Sequence, residues 1–139
     1  MHPFKIFLCL LFLTACQGTS LVYRQPPQVV IPQDKTMLWA GSVENWNLDF
    51  TAVCYREADS VRMVILSVFG VKLADLKVWP HHAEVYHKQE QFPTVALEAF
   101  VRFARENFFS KCPPSTVQYK DAPTHAIFRA QLKGESACY

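Results

Sequence analysis

Apolar and polar residues follow a period of two along much of this chain and change to a helical period after Pro93. TMLWAGSV at Thr36–Val43 reads as a first strand. LDFTAVCYRE at Leu48–Glu57 alternates, with Leu48, Phe50, Ala52 and Cys54 on one face and Asp49, Thr51, Val53 and Tyr55 on the other. Ala58-Asp59-Ser60 is a turn signal. The run 61–69, VRMVILSVF, is β-branched and apolar on both faces. Gly70 interrupts it, and 71–79, VKLADLKVW, continues until Pro80 ends it. Residues 82–88, HAEVYHK, alternate more weakly. Short successive strands joined by tight turns predict an antiparallel meander.

Beyond Pro93, residues 94–110 read TVALEAFVRFARENFFS. Val95, Ala99, Phe100, Phe103 and Phe108 recur near helical spacing, while Glu98, Arg102, Arg105 and Glu106 lie mostly elsewhere. Thr94 is placed to cap the first turn, and Pro113-Pro114 forbid continuation. Strand patterning returns at 118–120 and 125–132. The expected fold class is α+β: an antiparallel curved sheet with one amphipathic helix packed across it. Such a sheet can enclose an apolar space or close on an ordinary core, and a phenylalanine stripe on the helix suits both.

Length and composition narrow this further. At 139 residues, half of them hydrophobic, the chain supports one folded domain. The formal net charge of +2 is spread along the sequence with no basic block, which argues against nucleic acid as a partner. His81, His82 and His87 match no standard metal spacing, and only four glycines leave no phosphate-binding loop. No nucleophile–base pair or carboxylate pair stands in a motif, so neither an enzyme nor a cofactor or metal site is expected. Trp39, Trp46 and Trp79 suit either a membrane-facing rim or sheet edges.

The N-terminus supplies a location. Ile6 to Leu13, IFLCLLFL, follows a lysine and is too short to span a bilayer, but suits a signal peptide. Leu13-Thr14-Ala15-Cys16 then resembles the lipobox of bacterial lipoproteins. That resemblance implies removal of residues 1–15 and a diacylglycerol, with palmitate-type chains, on Cys16. For a Gram-negative host, which this step assumes, Gln17 in place of aspartate implies the outer membrane, periplasmic face. Residues 16–34, rich in Gln and Pro, read as the lipidated end and a tether, and 35–139 as the folded domain. Cys54, Cys112 and Cys138 remain for an oxidising compartment. A bridge from Cys112 to Cys138 would staple the chain end by about 3 kcal/mol, and a buried free thiol suits Cys54.

One stretch, DSVRMVILSVFGVKLADL at 59–76, resembles the outer-membrane lipoprotein receptor LolB and its LolA-like relatives. In that family a charged hairpin turn leads into an apolar strand, a Pro-Leu-Gly tip and a returning strand. Here Arg62, the apolar run 63–66 and Val68-Phe69-Gly70 match, with valine in place of the proline. The resemblance implies an incomplete half-barrel over an apolar cavity for lipid or acylated cargo. It also implies membrane contact through Val68 and Phe69. The expected cavity lining is Phe50, Ala52, Ile65, Leu66, Leu97, Phe100 and Phe103. A family of short proteobacterial lipoproteins encoded near aryl-polyene or fatty-acid-type biosynthesis genes is similar in length and core pattern. The functional expectation is a non-catalytic lipoprotein that binds or transfers an acylated molecule. The alternative is an accessory lipoprotein with a protein partner in envelope biosynthesis or export.

Overall fold

A computed structural model describes residues 20–26 and 36–133. The signal segment 1–15, Cys16 and Cys138 lie outside the described residues.

Among the described residues, eight strands form one open sheet in the order β1-β6-β5-β4-β3-β2-β8-β7. The strands are β1 (Leu21–Tyr23), β2 (Thr36–Val43), β3 (Leu48–Glu57), β4 (Ser60–Ser67), β5 (Lys72–Val78), β6 (Ala83–Lys88), β7 (Thr116–Lys120) and β8 (Ile127–Lys133). An α-helix, α1 (Thr94–Asn107), follows β6. The fold is α+β, and the β2-to-β6 meander is the one the alternation predicts.

Two features of the sheet differ from expectation. Leu21–Tyr23, inside the stretch read as tether, pairs parallel with Ala83, Glu84 and Val85, so the sheet is mixed rather than purely antiparallel. A polar, proline-rich context hides three strand residues whose partner is sixty residues away. Secondly, β8 pairs with the distant β2 as well as with its sequence neighbour β7, which brings the C-terminal hairpin to the side away from β4.

Burial alternates as the sequence does. Phe50, Ala52, Cys54, Val61, Met63 and Ile65 are buried on the face that carries α1. The ladder slips by one residue at Ile65/Leu66 and at Asp75/Leu76. These bulges leave Leu73 and Tyr86 as the extra residues, and bulges of this kind bend a sheet. The opposite face is tied by Arg62, which donates to both carboxylate oxygens of Asp75 at 2.7 and 2.8 Å, and which lies 4.7 Å from the Tyr86 ring centroid.

Helix α1 turns Ala96, Leu97, Ala99, Phe100, Val101, Phe103 and Ala104 inward. Phe100 and Phe103 meet Phe50 edge-on at 5.0 and 6.3 Å; Phe100 also meets Phe128 edge-on at 5.0 Å, and Phe103 stacks on Phe128 at 4.8 Å. Three expectations for the helix are corrected. Pro93, in extended conformation, is the N-cap residue, and no side chain caps the first turn, so Thr94 does not. The helix stops at Asn107 instead of 110, because Phe108 leaves helical geometry to bury against Trp39 at 4.9 Å and Phe103 at 5.0 Å. Val95, expected on the buried stripe, is 58 % exposed.

Candidate functional site

The β4–β5 hairpin ends in Val68-Phe69-Gly70, and its conformation is set by two residues. Gly70 has φ 78°, the left-handed position that closes a three-residue hairpin loop. Its N–H donates to the Ser67 carbonyl at 3.0 Å, and the Ser67 N–H donates to the Val71 carbonyl at 2.8 Å. The Ser67 hydroxyl oxygen then accepts from the N–H groups of Phe69 at 3.3 Å and Val71 at 3.2 Å. Serine thus performs locally the ordering that proline would supply through a fixed φ. The result is a tip whose Phe69 is 90 % exposed, flanked by exposed Val68 and Val71.

Four connections crowd this same end of the sheet. They are the tip, the 44–47 turn between β2 and β3, the 89–93 loop before α1, and the 121–126 loop between β7 and β8. Between the last three lies an open groove of about 620 Å³ lined by Trp46, Leu48, Gln91, Phe92, Pro93, Val95, Ala96, Pro123 and Thr124. Its size and mostly apolar walls fall within the range of small-molecule sites.

Each wall has a local cause. The 44–47 turn is held to β8 by Ile127, whose N–H donates to Asn45 Oδ1 at 3.1 Å, and Trp46 then meets Phe128 edge-on at 5.8 Å. The 89–93 loop is held by Lys88, whose ammonium donates to the Phe92 carbonyl at 2.6 Å. The third wall hangs on Asp121, which is fully buried. Arg102 of α1 donates to its two oxygens at 2.6 and 2.9 Å, Thr124 Oγ1 at 2.5 Å and Tyr119 at 3.0 Å. Burial pushes the Asp121 carboxyl up, but the hydrogen bonds from Arg102, Thr124 and Tyr119 outweigh it and hold the group at about 2. Tyr119 is pushed up to about 12, by burial first and then by its bond to Asp121.

The seven residues expected to line a lipid cavity are placed differently. Phe50, Ala52, Ile65, Leu97, Phe100 and Phe103 are buried core, with the phenylalanines packed ring on ring, and none of them lines the groove. Leu66 is half-buried on the face without the helix. The groove sits at the open end of that core, beside the N-terminus of α1. Sequence patterning missed it because Trp46, Phe92 and Pro123 come from three connections, where no period marks a shared surface.

Other expected residues fall as follows. Val68 and Phe69 are exposed together at the tip. Cys112 is disulfide-bonded, and Cys138, its expected partner, lies outside the described residues. Cys54 is a buried free thiol, pushed up by burial. Of the tryptophans, Trp39 is buried beside Phe108 rather than on a rim. Trp79 stacks on His82 at 4.5 Å at the far end of the sheet, and Trp46 lines the groove. Among the described residues, no three His, Cys, Asp or Glu groups converge on a metal position, and no helix is long and apolar enough to cross a membrane.

No family model, curated protein or solved structure matches this chain.

Proposed function

We propose that this chain is a non-catalytic lipoprotein, anchored through Cys16 at the periplasmic face of a Gram-negative outer membrane, which binds or hands over an acylated molecule in the manner of the LolB family. The observation that carries the reading is Phe69, 90 % exposed on a hairpin whose backbone is fixed by Ser67 and Gly70. Holding a phenylalanine in water gains nothing for folding, whereas its transfer into an apolar medium contributes about 1.5–3 kcal/mol. That is enough to orient a domain and too little to anchor it, so the division of labour with a lipid at Cys16 is physically reasonable. The groove at the same end offers an apolar wall for part of an acyl chain.

The dense packing of Phe50, Phe100 and Phe103 supports a second reading. Without a deep space between sheet and helix, the tip would serve as the contact patch for a protein of an envelope biosynthesis or export system.

Uptake of a fluorescent fatty acid by the chain lacking residues 1–16 separates the two. The lipid reading expects saturable uptake that Val95→Glu weakens by roughly tenfold or more, the equivalent of ~1.4 kcal/mol. No uptake, together with co-purification of a protein from native membranes that Phe69→Ser abolishes, would replace it with the accessory reading.

A further inference from the structure

The two ends of the sheet are not equivalent for an anchored protein. Strand β1 runs parallel to β6, so it enters the sheet beside Ala83 and points toward the end that carries Phe69. The Ala83 N–H donates to the Ser20 carbonyl at 2.9 Å, and Ala83 is level with Val78. From Val78 to Lys72 the strand rises about 20 Å, and the tip extends beyond that. Ser20 therefore stands about 25 Å from Phe69 along the strand axis. Cys16 precedes Ser20 by four residues, which span at most about 14 Å.

A lipid on Cys16 therefore cannot sit in a bilayer that the tip enters end-on while β1 is paired. The geometry reverses when β1 lets go. Thr36 is level with Tyr55, also at the end away from the tip. The twenty residues from Cys16 to Thr36 reach about 60 Å at a polyproline rise, which passes the length of the sheet with room to spare.

Strand β1 is built to be released without loss of the core. It has three residues and, among the described residues, one neighbouring strand. Val22 and Tyr23 are exposed, and only Leu21 packs against the core. Beyond the ladder it is held by the Arg24 N–H on the Val85 carbonyl at 2.9 Å and by Arg24 with Glu84 at 3.1 Å. The Arg24 side chain is largely exposed, so solvent screens that ion pair.

We infer that β1 is a latch: paired with β6 it holds the Phe69 tip away from the membrane that carries the Cys16 lipid, and its release lets the tip enter that membrane end-on. The inference rests on the proposed lipid at Cys16. The same apolar tip is thereby presented in turn to the periplasm and to the bilayer.

The test uses the full chain reconstituted in phosphatidylcholine vesicles containing brominated acyl chains, with Phe69→Trp as reporter. Val22→Cys with Glu84→Cys staples the latch, since these two residues are register partners. The expected result is weak bromine quenching of the reporter in the oxidised staple and a several-fold rise on reduction. Reduction of the unstapled reporter protein controls for the Cys112 disulfide. Leu21→Asp, which loosens β1 without new cysteines, is expected to match the reduced staple. Equal quenching with the staple closed and open, as when the domain lies on its side, would overturn the latch, as would Leu21→Asp remaining at the stapled level. Protein that does not float with the vesicles refutes instead the lipid anchor on which both readings stand.

Discussion

Phe69 keeps nine-tenths of its surface in water, and Ser67 explains how. Its hydroxyl accepts two tip N–H groups, so the loop does not need the apolar side chain to fold inward for order. Phe69→Glu is therefore expected to leave thermal stability unchanged, within about 0.5 kcal/mol, while abolishing contact with vesicles or acyl probes. A melting curve and a flotation assay on the same sample check both halves. The glycines offer a second residue-scale comparison. Gly70 is surrounded by open space but has φ 78°, so Gly70→Ala is expected to cost about 1 kcal/mol of backbone strain. At Gly41 a Cβ would fall 2.5 Å from the Phe50 ring and 2.6 Å from the Arg129 carbonyl. The ring sits deep in the core and the carbonyl belongs to the β2–β8 ladder, so neither gives way. Gly41→Ala is expected to cost more, about 3 kcal/mol, by urea unfolding. The Ser67-x-x-Gly70 spacing was visible in the sequence, but what made it informative was the hydroxyl's position over two N–H groups, which depends on loop geometry.

At the scale of elements, α1 joins the sheet through two different contacts. The apolar one is the Phe50, Phe100, Phe103 and Phe128 cluster, where Phe100→Ala or Phe103→Ala is expected to cost about 3–5 kcal/mol in chemical denaturation. The polar one is Arg102 with Asp121, which fastens the helix to the β7–β8 loop and so to one groove wall. The carboxyl's folded value of about 2 lies below its ordinary 3.8, so the native state favours the charged form. Its contribution, about 2 kcal/mol, is fully present above the ordinary value and lost as pH falls through the folded one. Unfolding free energy measured between pH ~4 and pH ~2 is expected to fall accordingly, and Asp121→Asn to remove that part of the slope. Periodicity located α1 well because seven inward residues recur on one face. Its ends were less legible: Pro93 displaces Thr94 from the cap, and Phe108 leaves the helix for a core position that only the sheet provides.

For the whole molecule, the sheet's open order puts its two edges under different rules. Strand β7 is covalently joined through a hairpin to β8, which lies between β7 and β2, whereas among the described strands β1 pairs with β6 alone. Leu21→Asp is therefore expected to lower global stability by no more than about 1 kcal/mol while exposing the β6 edge. Hydrogen exchange of the Ala83 and Val85 amides, against little change at Val53 or Val64, would report it. The reverse result, global destabilisation, would mean that β1 belongs to the cooperative core and is no latch.

The sequence by itself determined the local order of this protein. Two-residue alternation set the meander from Thr36 to Lys88, a 3.6-residue period set α1, and burial of the apolar face followed from both. Those properties depend on residues within a few positions of one another. Only the tertiary structure decided which distant segments meet. It paired Leu21–Tyr23 with β6 and β8 with β2, packed six of the seven expected cavity residues into the core, and gathered Trp46, Phe92, Val95 and Pro123 into a groove at the end of the sheet that carries Phe69. Such meetings depend on loop closure and on competition among apolar faces across the whole chain, and no local pattern records their outcome.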